Sequence, residues 1–228
     1  MTRFHLKSVA LAVLALGAFS AQADTVTLPD FAFSSESVTV NVTGVTAGTV
    51  ADSAGAFKTS VNGGASFLSY CIDLTQSAEL YGSDSSYTRV AGGSYSFANP
   101  NAAANLSKLF TFAGSLVNSA PTSAAFQLAV WEIIYESPAN TYSMGTGRAV
   151  FGPGQSNAAT LTLADSWLGA LAGTSATAPI SILASVNRQD LVYGGATAPI
   201  PEPSTYALMI AGLGALGFVA RRRSNKQA

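Results

Sequence analysis

The 228-residue chain holds one histidine and one cysteine. The histidine, His5, lies in the segment read below as a leader, so the body of the protein has none. That excludes a Ser-His-Asp or Cys-His mechanism and most zinc sites; neither a cofactor nor a metal is expected. A single cysteine, Cys71, excludes an intramolecular disulfide. It leaves one thiol, reactive or free for an intermolecular bridge in an oxidising compartment. Positive charge is also scarce. Apart from Arg3, Lys7, the three arginines 221–223 and Lys226, the cations are Lys58, Arg89, Lys108, Arg148 and Arg188. These five face eleven acids (the chain's twelve less Glu202), a body charge of −6. A nucleic-acid partner needs a dominant basic patch, so that class is excluded. Few charges, with abundant Ser, Thr, Ala and Gly, suit a secreted surface or matrix protein.

What the chain does have is most explicit at its ends. Arg3 and Lys7 form a positive n-region, Val9 to Phe19 an apolar h-region, and Ala21-Gln22-Ala23 an A-x-A cleavage site. The mature chain is expected to begin at or near Asp24. At the other end come Pro201-Glu202-Pro203, an uncharged run from Thr205 to Ala220, and Arg221-Arg222-Arg223. At ~1.5 Å per residue that run makes a helix that crosses a bilayer core only marginally. The arginines stay cytoplasmic as a stop-transfer cluster, placing the body across the membrane. Motif, span and basic cluster together resemble the PEP-CTERM sorting signal of exported bacterial proteins. The resemblance implies recognition by an exosortase-type processing enzyme that cuts near Pro201-Glu202-Pro203. It implies an inner-membrane-anchored precursor held by its C-terminal helix, then a place at the cell surface or in the extracellular matrix.

The chain therefore divides into a signal peptide (1–23), an extracellular domain (24–198) and a sorting signal (199–228). Within the domain, Glu36 to Val42 alternates and is β-branched, and Ala65 to Leu74 is a longer apolar strand. Asn62-Gly63-Gly64 is a turn signal between Gly55 and Leu74. Tyr87 to Val90 is a weaker strand. Asn99-Pro100 begins a helix to about Val117. Pro121 breaks the chain, and Thr122 or Ser123 caps a second helix to about Glu136. A third helix runs from after Ser156 to about Ala172, before closing strands at 180–186 and 191–193. The expected fold is α+β, a β-sheet or sandwich core carrying a small helical subdomain, plus one C-terminal transmembrane helix.

Two segments carry candidate chemistry. Tyr70-Cys71-Ile72-Asp73 lies on the apolar strand and Phe126-Gln127-Leu128-Ala129-Val130-Trp131 on the second helix. Gln127, Trp131, Ile134 and Tyr135 share one helical face, so Gln127 is an amide on an apolar stripe. Buried without a partner it would cost about 1–3 kcal/mol. Glu132 and Glu136 point away from that face and read as a solvated pair.

The two segments resemble the motifs of bacterial Cys–Gln thioester domains, the second commonly written T-Q-x-A, with Phe126 here in place of the threonine. The resemblance implies an internal thioester between Cys71 and Gln127, formed with loss of ammonia. The chemistry follows from the groups themselves: a fixed thiol gains effective molarity over a free one, and an apolar surround (Tyr70, Trp131, Tyr135) excludes water. A partner amine or hydroxyl, on a surface or matrix polymer, would attack the bond once, making a covalent adhesin and not an enzyme. Asp73 or Tyr70 is the candidate aid to proton transfer.

Three alternatives stand beside this. A lone strand cysteine is commonly inert core, which gives a non-covalent structural or exopolysaccharide-associated protein. A hydrolase would draw on Asp73, Glu79 or Asp84, whose spacing recommends no pairing. The Thr-rich strands 25–27 and 38–43 invite an ice-binding reading, but no repeat builds a threonine ladder.

Overall fold

The computed structural model describes residues 23–45, 50–139, 141–152, 158–195 and 211–214. Chain contacts separate Ala23–Pro199 from a second unit made of the remaining segments. The first unit contains the strands β1 (Asp24–Phe31), β2 (Glu36–Val42), β3 (Val50–Ala54), β4 (Phe57–Val61), β5 (Phe67–Cys71), β6 (Gly82–Ala91), β7 (Ala149–Gly152), β8 (Ile180–Ala184) and β9 (Leu191–Gly194). Its helices are α1 (Ala102–Ala113), α2 (Ala120–Tyr135) and α3 (Ala158–Ala170).

Six of these strands close into an antiparallel barrel in the order β1-β4-β5-β9-β8-β6, and β3-β2-β7 form a separate sheet. The expected α+β mixture and strand-rich core are present, with the main sheet closed into a barrel. Closure comes from β1 pairing on both sides, with β4 through Val26↔Val61 and with β6 through Thr27↔Ser83. Nothing local in a strand encodes which two neighbours it will find.

Local sequence does explain several elements. Val38, Val40 and Val42 alternate into the core of the small sheet, so a one-residue slip would turn all three to the other face. The β4–β5 hairpin turns where Asn62 and Gly63 both take left-handed φ (53° and 71°), which these two residue types tolerate best. Gly64 N–H then bonds Val61 C=O at 3.0 Å. Before α1, the Asn99 side chain accepts from Asn101 N–H at 3.0 Å, so the predicted start is a turn and the helix proper begins three residues later.

The start of α2 corrects the expected break at Pro121. Ser119 is the N-cap, in a reciprocal capping box with Thr122, and Pro121 sits inside the first turn. A proline there sacrifices only an N–H that has no intrahelical acceptor. From Ser123 to Tyr135 every residue of α2 is buried. The helix packs against α1, α3, barrel strand β5 and all three strands of the small sheet. It is a central axle, not one face of a surface subdomain. Glu132 and Glu136 are therefore buried, against the expectation of a solvated pair.

Among the described residues no helix is long and apolar enough to cross a membrane. Residues 211–214 are helical; the rest of the expected span 205–220, the signal peptide, Pro201-Glu202-Pro203 and Arg221-Arg222-Arg223 lie outside the described residues.

Candidate functional site

The last residue of β5 is Cys71. Strand β4 pairs with β5 only as far as Phe57↔Ser69, so the final residues of β5 lack a backbone neighbour on that side. Helix α2 supplies the missing partners with side chains one turn apart. Ser123 Oγ accepts from Ala56 N–H at 2.6 Å. Gln127 Oε1 accepts from Cys71 N–H at 2.9 Å, and Gln127 Nε2 donates to Cys71 C=O at 2.8 Å. The amide needed a partner for both its heteroatoms, and one residue provides both. Those two groups flank Cys71 Cα, so the carboxamide lies along the backbone of the residue that carries the thiol.

Both residues are buried, Gln127 at 0% and Cys71 at 4% exposure. Burial pushes the thiol well above its ordinary pKa, and the charges of Asp52 and Asp73 push it further. The thiol is thus protonated at neutral pH, and no cation offsets the two acids in that shift. On the opposite side, Cys71 pairs with Leu191 of β9, and Ile72 N–H bonds Asp190 C=O at 3.0 Å.

The other predicted site residues are distributed differently. Tyr70 alternates to the opposite face of β5, stacking on Phe126 at 4.4 Å and near Phe110 at 5.9 Å between ring centroids. Asp73 lies past the strand end, where its Oδ1 accepts from Thr75 N–H and Oγ–H, both at 2.7 Å. It influences the thiol by charge but is committed to its own turn. Trp131, one turn beyond Gln127, is fully buried, and its Nε1 has no hydrogen-bond partner among the described residues. A cavity of about 250 Å³ beside Tyr70 and Phe110 is lined by neither Cys71 nor Gln127.

Sequence reading missed the polar end of Tyr135. Its hydroxyl accepts from Leu74 N–H at 2.9 Å and donates to Ile72 C=O at 3.2 Å, two turns along α2 from Gln127. The residue was visible as an apolar member of the Gln127 face; its phenol oxygen was the unread signal. Burial pushes the phenol up to about 12, so it keeps the proton it donates.

Farther along α2 lies a group of carboxylates. Glu132 Oε1 accepts from Ser143 N–H at 2.7 Å, while Oε2 is buried with no partner among the described residues. Burial pushes Glu132 up to about 8, and Glu136 and Asp165 add repulsion. Glu136 accepts from Ser137 and Arg148 N–H, both at 2.6 Å, and Asp165 from Met144 N–H at 2.8 Å. These acids pin the loop 143–149. Among the described residues no group of three or more His, Cys, Asp or Glu is arranged to hold a metal ion. Glu79 and Asp84, the remaining hydrolase candidates, are both held by Arg188, at 2.7 and 3.0 Å.

The fold and site define an α+β domain with a closed six-stranded antiparallel barrel, whose strand end is gripped by a buried helix. Outside this domain, residues 199–223 match the PEP-CTERM protein-sorting motif. The motif implies export, recognition by exosortase and membrane-associated processing. No curated protein and no solved structure matches the chain.

Proposed function

We propose that the domain 24–198 is a surface or matrix protein that attaches covalently, once, through an internal thioester between Cys71 and Gln127. The observation that carries this reading is the docking of the Gln127 carboxamide across the N–H and C=O of Cys71. In the first step Cys71 Sγ bonds to Gln127 Cδ and the Cδ–Nε2 bond breaks. The thiol proton leaves with the nitrogen as ammonia, so no histidine or external base is consumed. Burial excludes water from the product. In the second step a partner's amine or hydroxyl bonds to Cδ, Sγ leaves, and the thiol regains a proton.

Intact-mass measurement of the processed domain tests this. A mass short by one ammonia, restored to the sequence value in Cys71→Ala, is expected; a full mass in freshly made protein would falsify the reading. Methylamine should add at Gln127 in the wild type alone.

A second reading has its own support. Gln127 and Ser123 complete the hydrogen bonding where β4 ends, which suffices to explain their burial, and a thiol with a raised pKa is a poor nucleophile. On that reading the protein is a non-covalent structural or exopolysaccharide-associated component with Cys71 as core. Both readings place it outside the cell after processing at the sorting motif.

A further inference from the structure

We propose that Tyr135 is the positioning residue for acylation of Cys71, holding still the peptide against which Gln127 reacts; this rests on the thioester reading above. When Sγ attacks Cδ, the carbonyl oxygen Oε1 takes the developing negative charge. Oε1 faces Cys71 N–H at 2.9 Å, which makes that N–H the oxyanion donor. Donor and nucleophile thus belong to one residue. Rotation of the Cys71–Ile72 peptide turns Cys71 C=O away from Gln127 Nε2 and unseats the carboxamide from the residue it is to acylate.

The chain just past Cys71 has left the strand, and α2 holds it a second time. The Tyr135 hydroxyl takes both Leu74 N–H and Ile72 C=O, so one oxygen fixes the three residues that follow the nucleophile. Gln127 and Tyr135 stand eight residues apart on a helix that is buried throughout, which makes the spacing between the two grips rigid. The other bonds of this segment, Ile72 N–H to Asp190 C=O at 3.0 Å, Gln189 Nε2 to Asp73 C=O at 2.6 Å and Asp73 to Thr75, tie it to the chain around β9 and to its own turn, whereas the Tyr135 bonds tie it to the helix that carries Gln127. Displacements near 1 Å in such a constellation cost up to about 10²-fold in rate.

The test follows ammonia loss by intact mass over time after cell-free synthesis of the full chain. Tyr135→Phe should slow the loss by about tenfold or more. Tyr142→Phe is the control: it also deletes a partly buried hydroxyl, but one bonded to Asn105 and Asn99 and not to the chain at 71–75, and should lose ammonia at the wild-type rate. Both variants are checked for a folded melting transition above the assay temperature, so slowing in Tyr135→Phe alone is a readout that mere loss of packing does not move. Leu74→Pro, which deletes the donor to Tyr135 without touching α2, should also slow the reaction, and it decides the matter if Tyr135→Phe does not fold. Wild-type rates in the folded variants overturn the positioning role and leave the thioester standing. An unmodified wild-type mass overturns both.

Discussion

At Gln127 the buried helix α2 presents a neutral amide whose oxygen and nitrogen are both bonded to Cys71. Five residues on, Glu132 presents a carboxyl with one oxygen bonded to Ser143 N–H and the other without a partner among the described residues. Both side chains are fully buried on the same helix. The amide carries a donor and an acceptor, so one backbone residue satisfies it without leaving charge behind. The carboxylate is acceptor-only when ionised, and burial raises its pKa until the proton stays. The same interior therefore treats Gln127 as settled structure and Glu132 as a group whose contribution depends on pH.

The largest effect is expected from breaking the settled site. Gln127→Leu strips partners from two buried backbone groups at about 1–3 kcal/mol each, so a loss of roughly 2–6 kcal/mol should appear in denaturant melts. A loss no greater than that of an ordinary surface substitution would mean that water replaces the amide. Next comes Gly147→Ala. Gly147 has φ +111° and its Cβ would collide with the Glu136 carboxylate, so about 2–4 kcal/mol should be lost, with loop 143–149 released to protease.

Glu132→Gln sharpens the comparison by making the second site resemble the first. Glu132 has a raised pKa in the fold, about 8 against 4.5 unfolded, so it is protonated in both states at low pH and its contribution is then whole. As pH rises between those values the unfolded chain ionises while the fold holds its proton, and stability falls until the folded pKa is passed. The variant should flatten that fall, gaining on the order of 1–3 kcal/mol over wild type in mildly alkaline buffer and little in acid. Equal pH profiles for the two proteins would show that Glu132 ionises without penalty. The smallest effect is expected at Arg188→Gln. Its pairs with Glu79 and Asp84 are partly exposed and screened, and the melting temperature should stay within scan error at moderate salt.

The two sites also differ in how readable they were. Gln127 stood out because an amide on an apolar stripe requires an explanation, and the paired motif supplied Cys71 as its partner. Glu132 was misread for the same reason that made Gln127 legible: periodicity assigns charged residues to the outside, and a helix buried on every side has no outside. Strand β2 was legible to the residue because its valines alternate, and the Asn62-Gly63 turn because few other pairs accept its φ values. Strands β3 and β7 are five and four residues long with little alternation, so only their pairing with β2 makes them strands. Barrel closure depends on β1 meeting β6, a contact between segments more than fifty residues apart, which no local pattern announces.

The register of β5 and β9 has a mechanical consequence. The sorting motif follows β9 in the chain, so a tether at that end pulls on the C-terminal end of β9. Strands β5 and β9 are antiparallel neighbours, paired through Ser69↔Tyr193, Tyr70↔Val192 and Cys71↔Leu191. An axial pull on that end of β9, resisted by the rest of the barrel, therefore loads that ladder in shear, its hydrogen bonds resisting together instead of peeling apart one by one.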